Sequence, residues 1–213
     1  MEKRDQAYEV IKQKILMGVL PPLSDISEEE LQKELGISRT PIHEALIKLS
    51  REGFVYIYPR KGTIVSEITL DAIYWQYEAR ELNEPRITCQ ACERLPREWL
   101  FQMREAFLAL PTSPEEANAA DIRGRFIELD RELHSMILST CRNVFLREML
   151  QNVYDHSQRL RVRTNRKNEE YLRALGEHLE IINALIEQNH DKVEEAAREH
   201  IRRAKEVAFR YYS

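Results

Sequence analysis

Gly36 narrows the folds open to this chain more than any other residue, because one short amphipathic segment ends at it and another begins two residues later. On the near side, Ser27-Glu28-Glu29-Glu30 has the capping-box spacing, in which a Ser hydroxyl and the Glu three residues on satisfy each other's backbone donors. Leu31 and Leu35 follow at helical spacing, and Gly36 supplies the left-handed residue that closes a helix without a Cβ penalty. On the far side, Ser38 stands at the cap position of a helix whose inner face is Ile42, Ala45, Leu46 and Leu49. Two helices with so short a turn form a helix-turn-helix. Upstream, Ala7, Val10, Ile11 and Ile15 mark a first helix that stops near Gly18, and Pro21-Pro22 forces an extended connection. Downstream of Gly53, the β-branched and aromatic runs Phe54 to Tyr58 and Thr63 to Val65 flank Pro59-Arg60-Lys61-Gly62, which reads as a hairpin with a basic tip, a wing.

From Thr69 onward no strand pattern appears. Apolar residues recur at helical spacing in segments broken near Pro96, Pro111 to Pro114, Arg142-Asn143, Asn165 to Asn168 and Asn189 to Asp191, which predicts about six helices. Ser113-Pro114-Glu115-Glu116 is a helix start, with Ser at the cap, Pro in the first turn and acids facing the dipole. The expected fold is therefore mainly α: a winged helix-turn-helix over residues 1–67 and an all-helical bundle over 68–213, with the boundary near residues 66 to 70.

With 213 residues, two small domains can each bury a real core. No apolar run approaches the roughly 20 residues that span a bilayer, and Met1-Glu2-Lys3-Arg4-Asp5 leads into a charged segment rather than a secretory signal, so a cytoplasmic location without membrane contact is expected. Cys89, Cys92 and Cys141 are too few for a disulfide framework and read as reduced thiols; Cys89-Gln90-Ala91-Cys92 matches CxxC, but it has no second pair and falls in a helical segment. A net charge of -4 excludes a protein that simply coats nucleic acid. Its distribution is uneven. Residues 37–66 hold Arg39, Lys48, Arg51, Arg60 and Lys61 against Glu44 and Glu52, whereas residues 21–36 hold five acids against Lys33. A local basic face on an acidic protein follows.

The run Leu35-Gly36-Ile37-Ser38-Arg39-Thr40-Pro41-Ile42-His43-Glu44-Ala45-Leu46, with Leu49, Glu52-Gly53 and the wing, resembles the GntR family of bacterial regulators over roughly residues 5–67. Arg39 and Thr40 then sit at the N-terminal end of a recognition helix, where the dipole and unpaired N–H groups attract phosphate and side chains reach major-groove edges. Arg39 has the fork to grip a guanine, and Lys61-Gly62 suits close approach to the backbone or minor groove. The expected DNA-contacting set is Arg39, Thr40, His43, Lys48, Lys61 and Gly62; the alternative is that these charges are merely solvated. The chain departs from the family pattern at Leu23, where Gly usually follows Pro, at Gln32, where Ala is usual, and at His43, where an Arg usually meets DNA.

In the second half, Asp130 and His134 are four residues apart and project from one apolar helix face; His178 lies on the stripe Leu175, Leu179, Ile182, Leu185, and His200 on Val193, Ala196, Ala197, Ile201, Ala204. Four inward polar groups need partners, because a buried unpaired carboxylate is costly. They are either separately satisfied core residues or one set. This region resembles the FCD ligand-binding domain of the FadR branch of GntR regulators, whose Asp and three His bind a divalent metal at the base of a helical cavity; the resemblance implies Asp130, His134, His178 and His200 as ligands of Zn²⁺, Ni²⁺ or Mn²⁺. Arg80 falls on the inward stripe Ile73, Tyr77, Ile87, Ala91. The resemblance assigns an Arg of this helix to the effector's carboxylate, while the residues alone equally allow an ion pair with Glu84 one turn away. Arg159 and Arg163, four residues apart, could also line the pocket, although an exposed charged face is the favoured reading.

The expected function is a sequence-specific transcription regulator, a homodimer on an inverted-repeat operator of double-stranded DNA, controlled by a small organic acid bound at the metal. A metal-dependent hydrolase or oxygenase using the same site is the alternative, disfavoured because an enzyme has no need of a recognition helix and wing and because nothing marks Glu132 or Glu177 as a general base. A purely architectural DNA-binding protein leaves the inward polar set unexplained.

Overall fold

The computed structural model describes residues 2–113, 120–164 and 168–212, and the chain divides into two compact units, Met1–Thr69 and Leu70–Ser213. Among the described residues the fold is mainly helical, with one small sheet.

The first unit contains α1 (Lys3–Leu16), β1 (Asp25–Ile26), α2 (Glu28–Leu35), α3 (Arg39–Arg51), β2 (Val55–Tyr58) and β3 (Gly62–Val65). Ser27 Oγ accepts the Glu30 backbone N–H, and Gly36 closes α2 with φ of 64°, as their spacing requires. Ser38 caps α3 by position, without a side-chain hydrogen bond. The inner faces of α1 and α3 pack Ala7, Ile11 and Ile15 against Ile42, Ala45, Leu46 and Leu49. Each fully buried Ile or Leu contributes about 1.5–3 kcal/mol. The sheet order is β1-β3-β2, antiparallel throughout. Its first strand is only two residues, Asp25 and Ile26 opposite Ile64 and Thr63, inside the segment that the prolines mark as merely extended. The wing turn is closed by the Lys61 N–H donating to the Tyr58 carbonyl, with Pro59 followed by Arg60 at φ of 63°, the Pro-then-positive-φ order of a type II turn. Leu23, standing where the family favours Gly, has φ of 67°, so an L side chain is held in left-handed backbone while its N–H donates to the Val65 carbonyl.

The second unit is all helical: α4 (Leu70–Ala91), α5 (Arg97–Leu108), α6 (Ala120–Ser139), α7 (Val144–Thr164), α8 (Asn168–Glu187) and α9 (His190–Tyr212). Among the described residues, helices break near Pro96, Arg142-Asn143 and Asn189, with Pro96 capping α5 and Asn143 Oδ1 accepting the Leu146 N–H at the start of α7. The helix start read at Pro114 to Glu116 lies outside the described residues. Helix α4 runs on through Pro85, which has no N–H to donate. Helices α4 and α8 pack on α9, α5 on α8 and α6 on α7. They enclose a core that includes Phe107, Phe126, Leu133, Leu150, Tyr171, Ile182 and Leu185. Among the described residues, no helix is long and apolar enough to cross a membrane.

Candidate functional site

On the first unit, Arg39 is the first residue of α3, with its side chain 77% exposed, and Thr40 and His43 are exposed beside it. Both Arg39 and His43 are held by Glu28 of α2: Arg39 Nε donates to Oε2 at 2.7 Å and His43 Nδ1 lies 3.0 Å from Oε1. Partial burial alone would raise the Glu28 carboxyl, but hydrogen bonds from His43 and Arg39 keep it below its ordinary value. An exposed pair of this kind contributes about 0–1 kcal/mol, so the guanidinium leaves Glu28 for a stronger acceptor at little cost. Lys48 is exposed and its ammonium lies 3.5 Å above the Tyr8 ring. Lys61 and Gly62 are exposed at the wing, and Gly62 at φ of 115° occupies backbone that side-chain-bearing residues rarely adopt. Glu28 was not among the residues singled out from the sequence; the i, i+11 and i, i+15 links to Arg39 and His43 carry no periodic signal.

On the second unit, Asp130 and His134 of α6, His178 of α8 and His200 of α9 are all buried, each at most 4% exposed. One ring nitrogen from each of the three histidines lies within 4.8 Å of the others. Asp130 Oδ1 is 2.9 Å from His178 Nε2 and 3.7 Å from His134 Nε2. The opposite nitrogen of every ring is anchored: His134 Nδ1 is 3.0 Å from Glu84 Oε1, His178 Nδ1 is 2.6 Å from the Ala174 carbonyl, and His200 Nδ1 is 2.9 Å from Glu177 Oε2. With Nδ1–H donating to an oxygen, each ring keeps its lone pair on Nε2. The three Nε2 atoms and Asp130 Oδ2 are buried without a hydrogen-bond partner. Burial holds His134 below its ordinary pKa, and burial with the neighbouring His178 and His134 holds His200 well below it, so both rings are neutral at pH 7. Burial would raise the Asp130 carboxyl, but the neighbouring Arg161 guanidinium holds it well below the usual range. A buried carboxylate and three fixed imidazoles with unsatisfied acceptors are a donor set suited to a divalent transition metal.

Arg80 faces inward, with its side chain 1% exposed, but Glu84 takes its fork: Nε donates to Oε2 at 2.7 Å and Nη2 to Oε1 at 3.2 Å. Burial would raise the Glu84 carboxyl, yet Arg80 and His134 hold it far below the usual range. Both readings of Arg80 thus meet in one chain of contacts, Arg80 to Glu84 to His134. Beside the imidazoles is a cavity of about 40 Å³, lined among others by Tyr77, Asp130, Arg161, Thr164, His178 and His200. Arg80 does not line it, nor do Arg159 and Arg163. Arg161, one step away from the two candidates on α7, reaches the cavity, as does Arg173 of α8; the signal for Arg161 was the buried stripe Leu150, Tyr154, Ser157, to which residue 161 is the next helical position. Glu132 is exposed, and Cys89, Cys92 and Cys141 are free thiols, the last two buried.

Residues 3–65 match the family described as bacterial regulatory proteins, gntR family, and residues 76–203 match the FCD domain. The chain is 23% identical over 201 residues to the HTH-type transcriptional repressor RspR of Escherichia coli K12, covering 94% of this chain and 86% of that protein. It is 30% identical over 140 residues to the Nta operon transcriptional regulator of Aminobacter aminovorans, covering 66% of this chain and 63% of that protein. Among solved structures, E. coli McbR/YncC has the same fold, with a TM-score of 0.84 at 18% identity and full coverage of both chains. A putative GntR regulator from Rhodococcus sp. RHA1 follows at 0.79 and 16%, again over both whole chains. These relatives are regulators rather than enzymes, and the chain belongs to the gntR family of bacterial regulatory proteins, as a DNA-binding transcription regulator with an FCD domain.

Proposed function

We propose that this regulator binds an inverted-repeat operator as a homodimer and that a small organic acid, bound at a divalent metal in the second unit, controls its operator affinity. The observation that carries the reading is the trio of buried, unpartnered Nε2 atoms on His134, His178 and His200 beside the Asp130 carboxylate, with the other nitrogen of every ring already engaged. A cluster left this way costs several kcal/mol unless something fills it. When bound, the metal supplies a Lewis-acidic position for an effector oxygen. Glu84, Glu177 and the Ala174 carbonyl fix the three ring orientations, and loss of such support typically costs 10–100-fold in metal affinity. On the first unit, Arg39, Thr40, His43, Lys48, Lys61 and Gly62 are the proposed DNA contacts, with Glu28 holding Arg39 and His43 before DNA arrives.

The test is elemental analysis and calorimetric titration of Zn²⁺, Ni²⁺ and Mn²⁺ into chelator-stripped protein, beside operator gel shifts of the loaded and stripped forms. About one ion per chain is expected for the wild type, and none for His134→Ala combined with His178→Ala. Stripped protein that neither takes up a metal nor gains thermal stability from one contradicts the reading.

A further inference from the structure

Arg161 of α7 reaches the cavity with half its fork in use. Its Nη1 is 2.8 Å from Asp130 Oδ2 and 3.3 Å from Gln158 Oε1, whereas Nη2 is buried and makes no hydrogen bond. The side chain is only 11% exposed, so water cannot freely satisfy that donor, and a buried unpaired guanidinium nitrogen is costly. On the other side of Asp130 stand His178 and His134. One carboxylate is therefore shared between the guanidinium and the imidazole cluster, and its Arg161-facing contact lacks the alignment of a hydrogen bond.

We propose that Arg161, and not Arg80, is the seat for the carboxylate of the effector, and that Asp130 occupies part of that seat when no effector is bound. The proposal rests on the effector reading above. A guanidinium holds a carboxylate through its N–H groups, and Arg161 keeps Nη2 unpaired, whereas Glu84 already takes Nε and Nη2 of Arg80; Arg173, which also lines the cavity, is ion-paired with Glu170 and Glu177. The acids at the cavity do not cancel this attraction. Glu177 is paired with His200 and approached by Arg173 and Arg203, and Glu170 is paired with Arg173 and Arg210. Size narrows the class further. A water-sized group needs on the order of 10–15 Å³ of such space, so a cavity of about 40 Å³ suits a short-chain acid rather than a large one. Tyr77 and Thr164, both hydroxyl-bearing residues, are part of the lining.

The probes are acetate, glycolate and L-lactate, titrated by calorimetry and thermal shift into full-length protein, both Zn²⁺-loaded and stripped. At least one is expected to bind the loaded wild type. Arg161→Gln should keep its zinc stoichiometry and lose about 30-fold or more in affinity for that acid, with Arg161→Lys recovering only part. In stripped protein, Asp130→Asn should bind the acid more tightly than the wild type, and adding Arg161→Gln should remove the gain. That arm needs no metal, so it tests Arg161 even if zinc fails to bind at all. The proposal is overturned if Arg161→Gln holds zinc and binds the acid undiminished, if Asp130→Asn gains nothing, or if none of the acids binds any form.

Discussion

Replacing Arg80 by Ala separates a structural ion pair from a ligand-binding group, because the two roles predict losses in different measurements. The Arg80 and Glu84 side chains are 1% and 3% exposed and joined by two hydrogen bonds. Removing the guanidinium strands the Glu84 carboxylate in the core with His134 as its remaining partner, and opens a cavity where the Arg stem was. Breaking a buried pair from one side costs about 3–5 kcal/mol, and for a chain of this size each kcal/mol lowers Tm by about 2–4 °C, so a fall of roughly 6–20 °C is expected. Metal affinity should fall as well, by about 10–100-fold, because a displaced Glu84 no longer orients His134. Calorimetric melting of stripped protein, with a metal titration, measures both. The double variant Arg80→Met with Glu84→Gln should recover much of the lost stability, since no charge is then left buried alone. An Arg80→Ala variant that melts within a few degrees of the wild type, keeps its metal affinity and loses only effector binding would contradict the ion-pair role. That result would return the effector's carboxylate to Arg80 and count against Arg161.

Three further outcomes are expected. Arg39→Ala should lower operator affinity by about 1–3 kcal/mol per half-site and relax preference at one base pair, whereas equal weakening on every sequence in a competition gel shift would make Arg39 a phosphate contact. The stripped protein should lose stability as pH falls below about 6.5, because buried His134 and His200 have folded pKa values below their unfolded ones and the unfolded chain takes up protons first; denaturation midpoints that stay flat from pH 8 to pH 5.5 would contradict this. Leu23→Gly should stabilise the first unit by about 0.5–1 kcal/mol, as relief of left-handed strain exceeds the entropic cost of Gly, and an unchanged urea midpoint would show that the turn absorbs the strain.

Much of the architecture is local and therefore legible in the residues themselves. Ser27, Gly36 and the spacing of Ile42, Ala45, Leu46 and Leu49 specify α2, the turn and α3, because caps and helical stripes are decided within one or two turns of chain. The same periodicity turned Arg80, Asp130, His134, His178 and His200 inward, since a residue's face depends only on its neighbours three and four positions away. Beyond that reach the sequence is silent. The two-residue β1 exists only because β3 lies beside it, and Glu28 meets Arg39 and His43 through the packing of α2 on α3. What each inward arginine meets was likewise a tertiary matter: Glu84, one turn along the same helix, captures Arg80, whereas Arg161 arrives from α7 beside Asp130 of α6 with one nitrogen still unpaired. Periodicity states that a charge faces the core, but the partner it finds there is set by the positions of other helices, and a low-dielectric interior makes that partner decide the residue's role.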